Sequence, residues 1–155
     1  MAVCERGGVM VVPRFRAWHK PMQRMSEVFA ISFERQKVKI RDLTVPFEDC
    51  VLMQSTGLFD ENGKEIFEGD VVELHHFTEN YSTTGGFYEG EESLVGIVRY
   101  GYTDDEIKCF GKVYPPSWFF ENRYKKLDFS DLGGLHEESF KVIGDIYRNP
   151  ELVEE

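Results

Sequence analysis

Short alternations of apolar and polar residues recur along the chain and point to strands rather than helices. Residues 14–18, RFRAW, place Phe15 and Ala17 on one side and Arg14, Arg16 and Trp18 on the other. His19-Lys20-Pro21 reads as a turn, because Pro21 cannot donate to a ladder. The run Met25–Ser32 is expected to pair back as a hairpin, and KVKIR at 37–41 puts Val38 and Ile40 on one face of a third strand. Pro46, Glu48 and Asp49 mark a loop or short helical turn before Val51–Gln54. Asn62-Gly63 has the composition of a two-residue hairpin turn with positive φ at both positions, and Lys64–Phe67 follows as a short strand.

After Gly69-Asp70 the pattern predicts a strand over Val71–His76 with Val72 and Leu74 facing inward. Residues 78–93, TENYSTTGGFYEGEES, lack an apolar period and read as a long loop or a flexible hairpin arm. LVGIVRY at 94–100 looks the most buried strand, and Ile107–Val113 is the next candidate. Residues 114–139 read as irregular around Pro115-Pro116, Trp118-Phe119-Phe120 and Gly133-Gly134. FKVIGDIY at 140–147 predicts a strand with Gly144 at a bulge, and Asn149-Pro150 resembles a helix start with Asn149 as cap. Many short strands separated by turn signals mean a mainly β protein, and five or so strands between 64 and 147 suit a small, partly open barrel.

Composition sharpens this picture. The 155 residues are 41% apolar, 30% charged and 14% aromatic, enough to bury a core without a metal or disulfides. The net charge of −10 is unevenly spread. Residues 1–56 hold 9 Lys/Arg against 6 Asp/Glu, whereas residues 57–155 hold 9 against 22. Such asymmetry indicates two regions with different surfaces, the second repelling phosphate backbones. Cys4, Cys50 and Cys109 are odd in number with no CxxC pair, which suits reduced thiols in a cytosol. No long apolar run predicts a membrane span, and the opening residues lack the apolar core of a signal peptide.

Three segments, RFRAWHKPMQRM (14–25), LMQSTGLFDENGKEIFEGDVV (52–72) and FKVIGDIYRNPEL (140–152), resemble in order and wording the YopX family of phage and prophage proteins. The resemblance implies a small N-terminal antiparallel β region, residues 10–56, followed by a C-terminal SH3-like, partly open β-barrel, residues 57–155. Residues 77–93 and 114–139 would be its long variable loops. It also supports Met10 as the natural start, with residues 1–9 a disordered extension. The resemblance implies no activity, cofactor or catalytic residue.

The candidate chemistry is sparse. A calcium loop starting at Asp60 would need an oxygen ligand at its fifth position, Gly at its sixth and Glu at its twelfth, where Lys64, Glu65 and Val71 stand. Hairpin architecture is therefore expected. His75 and His76 point to opposite faces of a strand, and His19 and His136 lack metal-ligand spacing, so no metal or other cofactor is expected. Cys50 and Cys109 read as small buried hydrophobes rather than nucleophiles. Glu68 and Asp70 could be a carboxylate pair, or a solvated turn with Asp70 bonding nearby backbone N–H groups. Trp118, Phe119 and Phe120 are either core or a partner surface. Arg14, Arg16 and Trp18 combine charge with an aromatic platform; that combination can hold single-stranded nucleic acid, but more often it is an amphipathic strand with its aromatic against a neighbour. The reading that follows is a non-enzymatic, self-associating protein-interaction module. A nucleic-acid-associated regulator using the basic N-terminal strand is the alternative, disfavoured by the acidic charge.

Overall fold

A computed structural model describes residues 12–81, 84–101, 117–123, 126–128 and 140–154. Eleven strands occur among them: β1 Phe15–His19, β2 Arg24–Ser32, β3 Lys37–Ile40, β4 Leu43–Pro46, β5 Cys50–Phe59, β6 Glu65–Phe67, β7 Asp70–Tyr81, β8 Phe87–Gly101, β9 Ser117–Glu121, β10 Lys126–Asp128 and β11 Phe140–Asp145. The fold is mainly β, with two antiparallel sheets in the orders β4-β3-β2-β1-β5-β6 and β10-β9-β8-β7-β11. Neither sheet closes into a barrel among the described residues. Two short 3-10 turns, Phe47–Asp49 and Pro150–Leu152, are the helical pieces described. The chain divides into two units, Met1–Ser55 and Thr56–Glu155.

In the first unit β1 and β2 form the expected hairpin, with Arg16 opposite Glu27 and His19 opposite Arg24. The second half of β2 leaves β1 and pairs with β3, through a bulge between Val28 and Ala30. The period of two in KVKI is kept: Val38 and Ile40 are buried and both lysines exposed. Ala17, Val38, Ile40, Val45 and Cys50 form the core, with Val28, Phe47 and Leu52 packed against it. One expectation fails here. The alternation of RFRAW predicts one open face, yet Arg16, Ala17, Trp18 and His19 are all buried. Arg and Trp have apolar bodies with a polar tip, so either can be covered once the tip is bonded.

The turn at Asn62-Gly63 differs from the two-residue form. Gly63 has φ +76, and Asn62 does not share a positive φ. The Gly63 N–H donates to Asp60 O at 2.9 Å, and the Asp60 N–H donates to Lys64 O at 2.8 Å. This is the three-residue loop, a type I turn closed by a left-handed glycine. Asp60 selects it, because its Oδ1 accepts the N–H groups of Asn62 (2.9 Å) and Lys64 (2.8 Å). The strand Thr56–Phe59 enters the loop, and the Thr56 hydroxyl donates to Ile66 O at 2.7 Å across the hairpin.

Of the two readings of 78–93, the hairpin arm is the one observed where the segment is described, with β7 and β8 in register out to Tyr81 opposite Phe87. The polar stretch has no apolar period, but a ladder needs only backbone partners and tolerable propensity, which Thr, Tyr and Phe supply. The irregular reading of 114–139 likewise gives way to β9 and β10 where that segment is described. The bulge at Gly144 is present, between Val142 and Gly144. The helix expected at Asn149-Pro150 is only the 3-10 turn, and Asn149 makes no side-chain cap. Its Oδ1 instead accepts the Asp145 N–H, at 3.4 Å. The expected strand at 107–113, the extension at 1–9, Cys4, Cys109 and His136 lie outside the described residues.

The core of the second unit is Ile66, Val72, Leu74, Val98, Phe120 and Phe140, with Leu58, Leu94, Trp118 and Val142 against it. The strand 94–100 alternates instead of being buried on both sides: Gly96 and Val98 face the core, while Val95 is 39% exposed.

Candidate functional site

The residues singled out from the sequence do not gather at one place. Arg14 is exposed and pairs with Glu27 at 3.8 Å. Arg16 and Trp18, on β1, are buried, so this strand offers no cationic stacking platform. Phe119 and Phe120 are buried as well, Phe120 completely, which resolves that pair as packing rather than surface. Trp118 is half-buried on the core cluster, and its ring lies 4.9 Å from that of Tyr100, which is 48% exposed.

The carboxylates do structural work. Asp70 is a buried residue instead of part of a solvated turn, and its Oδ2 accepts the Phe67 N–H at 2.8 Å. Asp145, opposite Asp70 in the ladder, is fully buried. Its Oδ1 accepts the N–H groups of Tyr147 and Arg148, and its Oδ2 accepts the Arg148 guanidinium at 2.6 Å. Burial alone would raise the Asp145 carboxyl, but the Arg148 and Tyr147 donors outweigh it and hold it below the usual carboxylate range. Asp60 behaves similarly: burial raises it, and the N–H groups of Val142, Lys64 and Asn62 bring it below its ordinary value. Burial is also the largest influence on the Cys50 thiol and pushes it up, which suppresses the thiolate that nucleophilic chemistry needs. Among the described residues no group of three His, Cys, Asp or Glu side chains could hold a metal ion.

What the second unit does present is a groove of about 460 Å³. Its apolar wall is Val95 and Ile97 of β8, Ile143 of β11, and Leu152 and Val153 of the C-terminal turn. Its polar rim is Glu121, Asn122 and Arg123. Ile97 lies directly opposite Glu121 in the ladder. Glu121 is steadied by Arg99 at 3.4 Å and Lys126 at 3.8 Å. Two glycines shape the groove. A Cβ on Gly144 would stand 2.8 Å from Leu152 Cδ1 and 2.6 Å from Asn149 Oδ1, so the missing side chain lets the turn lie on β11. A Cβ on Gly96 would meet the Phe120 ring at 2.5 Å and Glu121 O at 2.7 Å. Gly96→Ala is therefore expected to destabilise the second unit by about 1–3 kcal/mol through overpacking, measurable by urea unfolding. A variant as stable as the native chain would mean that β9 yields freely.

The sequence missed this groove because Val95 and Ile97 sit in a run apolar at both parities, which reads as core. The usable signal was Gly96 between them, a position where another group approaches the strand closely.

Comparisons with known proteins agree with this architecture. No curated protein matches the chain. The crystal structure of protein EF1440 from Enterococcus faecalis is similar, at a TM-score of 0.53 and 24% identity over 94% of this chain and 100% of that one. This likeness speaks for the fold alone. The family described as YopX protein matches residues 14–154, and the chain belongs to the YopX family.

Proposed function

We propose that this protein is a phage- or prophage-encoded accessory protein, a non-enzymatic interaction module that self-associates in the cytosol of its bacterial host. The carrying observation is the open apolar groove in the acidic unit, set against a basic unit that exposes its own hydrophobics. Phe29 is 59% exposed and Phe33 77%, and Met22 and Leu43 are also exposed, all in the unit with the positive balance. Exposed apolar groups on surfaces of opposite charge suit contact between the basic unit of one copy and the acidic unit of the next. Such a contact is heterologous and builds rings or open chains. The second sheet, in which β11 returns beside β7 after a β7-β8-β9-β10 meander, supports reading this unit as an SH3-like, partly open barrel. The free, buried Cys50 thiol suits a reducing compartment.

Light scattering behind a sizing column tests this on the whole chain. The expected mass at low salt is a multiple of the chain mass, moving toward monomer as salt screens the charges. Val95→Asp or Phe33→Ser should each shift the equilibrium to monomer with the circular dichroism spectrum unchanged. A native chain that stays monomeric at low salt and high concentration would sink the self-association reading.

A further inference from the structure

We propose that the tips of the two N-terminal hairpins form a binding site for a single phosphate group. His19 and Arg24 are the last register pair of the β1–β2 hairpin, and Ile40 and Leu43 the last of β3–β4. The two tips meet around a cavity of about 100 Å³ lined by His19, Arg24, Ser26, Arg41 and Asp42, with apolar walls from Met22, Ile40 and Leu43. That volume suits one small group, against about 300–1,000 Å³ for the sites of drug-sized ligands.

Three observations make this a built site. His19 is 6% exposed and its Nδ1 is buried with no hydrogen-bond partner, a condition that leaves a desolvated polar atom uncompensated. None of the ion pairs among the described residues uses Arg24 or Arg41, so two guanidinium groups line one small cavity without a paired carboxylate. Arg41 also adopts φ +41, a left-handed backbone at the first position of a two-residue turn, where glycine is the ordinary occupant. Gln23, in the facing hairpin tip, also has a positive φ, so both tips carry long polar side chains where glycine would be less strained.

The donor set selects the ligand. Guanidinium forks match the paired oxygens of phosphate or carboxylate, and Ser26 and His19 add a hydroxyl and a ring nitrogen. Asp42 separates the two classes: it offers an acceptor for the P–OH of a monoprotonated phosphate, which a carboxylate ligand cannot use. Two guanidinium groups against one carboxylate leave the cavity net positive, within the unit whose overall balance is positive.

The test is a nuclear magnetic resonance titration of the full chain with inorganic phosphate at constant ionic strength, following the His19 ring and the Arg24 and Arg41 Nε–Hε signals. Saturable shifts are expected at all three, with acetate binding more weakly. Arg41→Gly should weaken phosphate roughly tenfold or more while the melting temperature stays level or rises, since glycine suits the left-handed turn. Arg24→Gln, which leaves the turn intact, should weaken it similarly. A parallel arm uses a 5′-phosphorylated oligonucleotide and its unphosphorylated form. Tighter binding of the phosphorylated strand supports the site with a nucleic-acid end as the source; equal binding of inorganic phosphate supports it with free phosphate as the source. Absence of saturation, shifts reproduced by chloride, acetate binding as tightly as phosphate, or native-like titration by both arginine variants would overturn the proposal.

Discussion

Phe120→Ala is expected to destabilise the second unit by about 3–5 kcal/mol, the usual range for removing a core aromatic. Phe120 is completely buried within the cluster of Ile66, Val72, Leu74, Val98 and Phe140. Its ring fills the space above Gly96, which has no side chain to relax into the gap. The cavity should therefore stay open. This geometry also predicts coupling. Gly96→Ala overpacks the native chain against both the Phe120 ring and Glu121 O; with the ring gone, only the contact with Glu121 O remains. In the Phe120→Ala background the same substitution should cost clearly less than in the native chain. Hydrogen exchange of the β7 and β8 amides reads both effects in this unit alone, which matters because two units need not unfold together. Equal penalties for Gly96→Ala in both backgrounds would refute the ring–glycine contact as the source of the strain.

Much of the strand layout was legible because one covered face leaves a period of two. KVKI at 37–40 is the clean case, and the Gly144 bulge was visible as a glycine inside a strand pattern. Phe120 shows why legibility stops there. Contiguous aromatics in WFF read equally as packing or as a partner surface, and only the pairing of β9 with β8 turns Phe120 inward. Arg16 and Trp18 were open to two readings, a cationic stacking face or a packed amphipathic strand, for a related reason. Their residue types allow either, and burial is decided by what lies over the sheet, which a strand's own alternation does not encode.

The two candidate sites were unreadable on the same grounds. The groove joins residues of β8, β9, β11 and the C-terminal turn, and the hairpin-tip cavity joins His19 to Asp42 across two hairpins. Neither set has a sequence spacing, since each is assembled by pairing. Arg41-Asp42 carries no turn glycine, so its left-handed backbone had no signal at all.

Asp60→Asn should destabilise the chain by about 3 kcal/mol near neutral pH, although it alters a single atom of the side chain. Both carboxylate oxygens are in use: Oδ1 accepts Asn62 and Lys64, and Oδ2 accepts Val142 at 2.9 Å. An amide has one accepting oxygen, so its NH2 group must face either the loop donors or the Val142 N–H. The Val142 bond ties the hairpin loop to β11 across 82 residues of sequence, beside the Glu61 N–H donating to Phe140 O. The loss therefore reaches beyond the turn. The pH dependence has a definite sign. The folded Asp60 carboxyl lies below its ordinary value, so its contribution is full above the unfolded value of about 3.9 and fades as pH falls through the folded value. The stability gap between native chain and variant should be constant from about pH 5 upward and narrow below about pH 4. Asp145 is depressed in both proteins and cancels from the difference. Urea unfolding of the pair at pH 7 and again in acid would settle it: a gap that stays constant in acid would mean that the charge on Asp60 contributes nothing to holding the loop on β11.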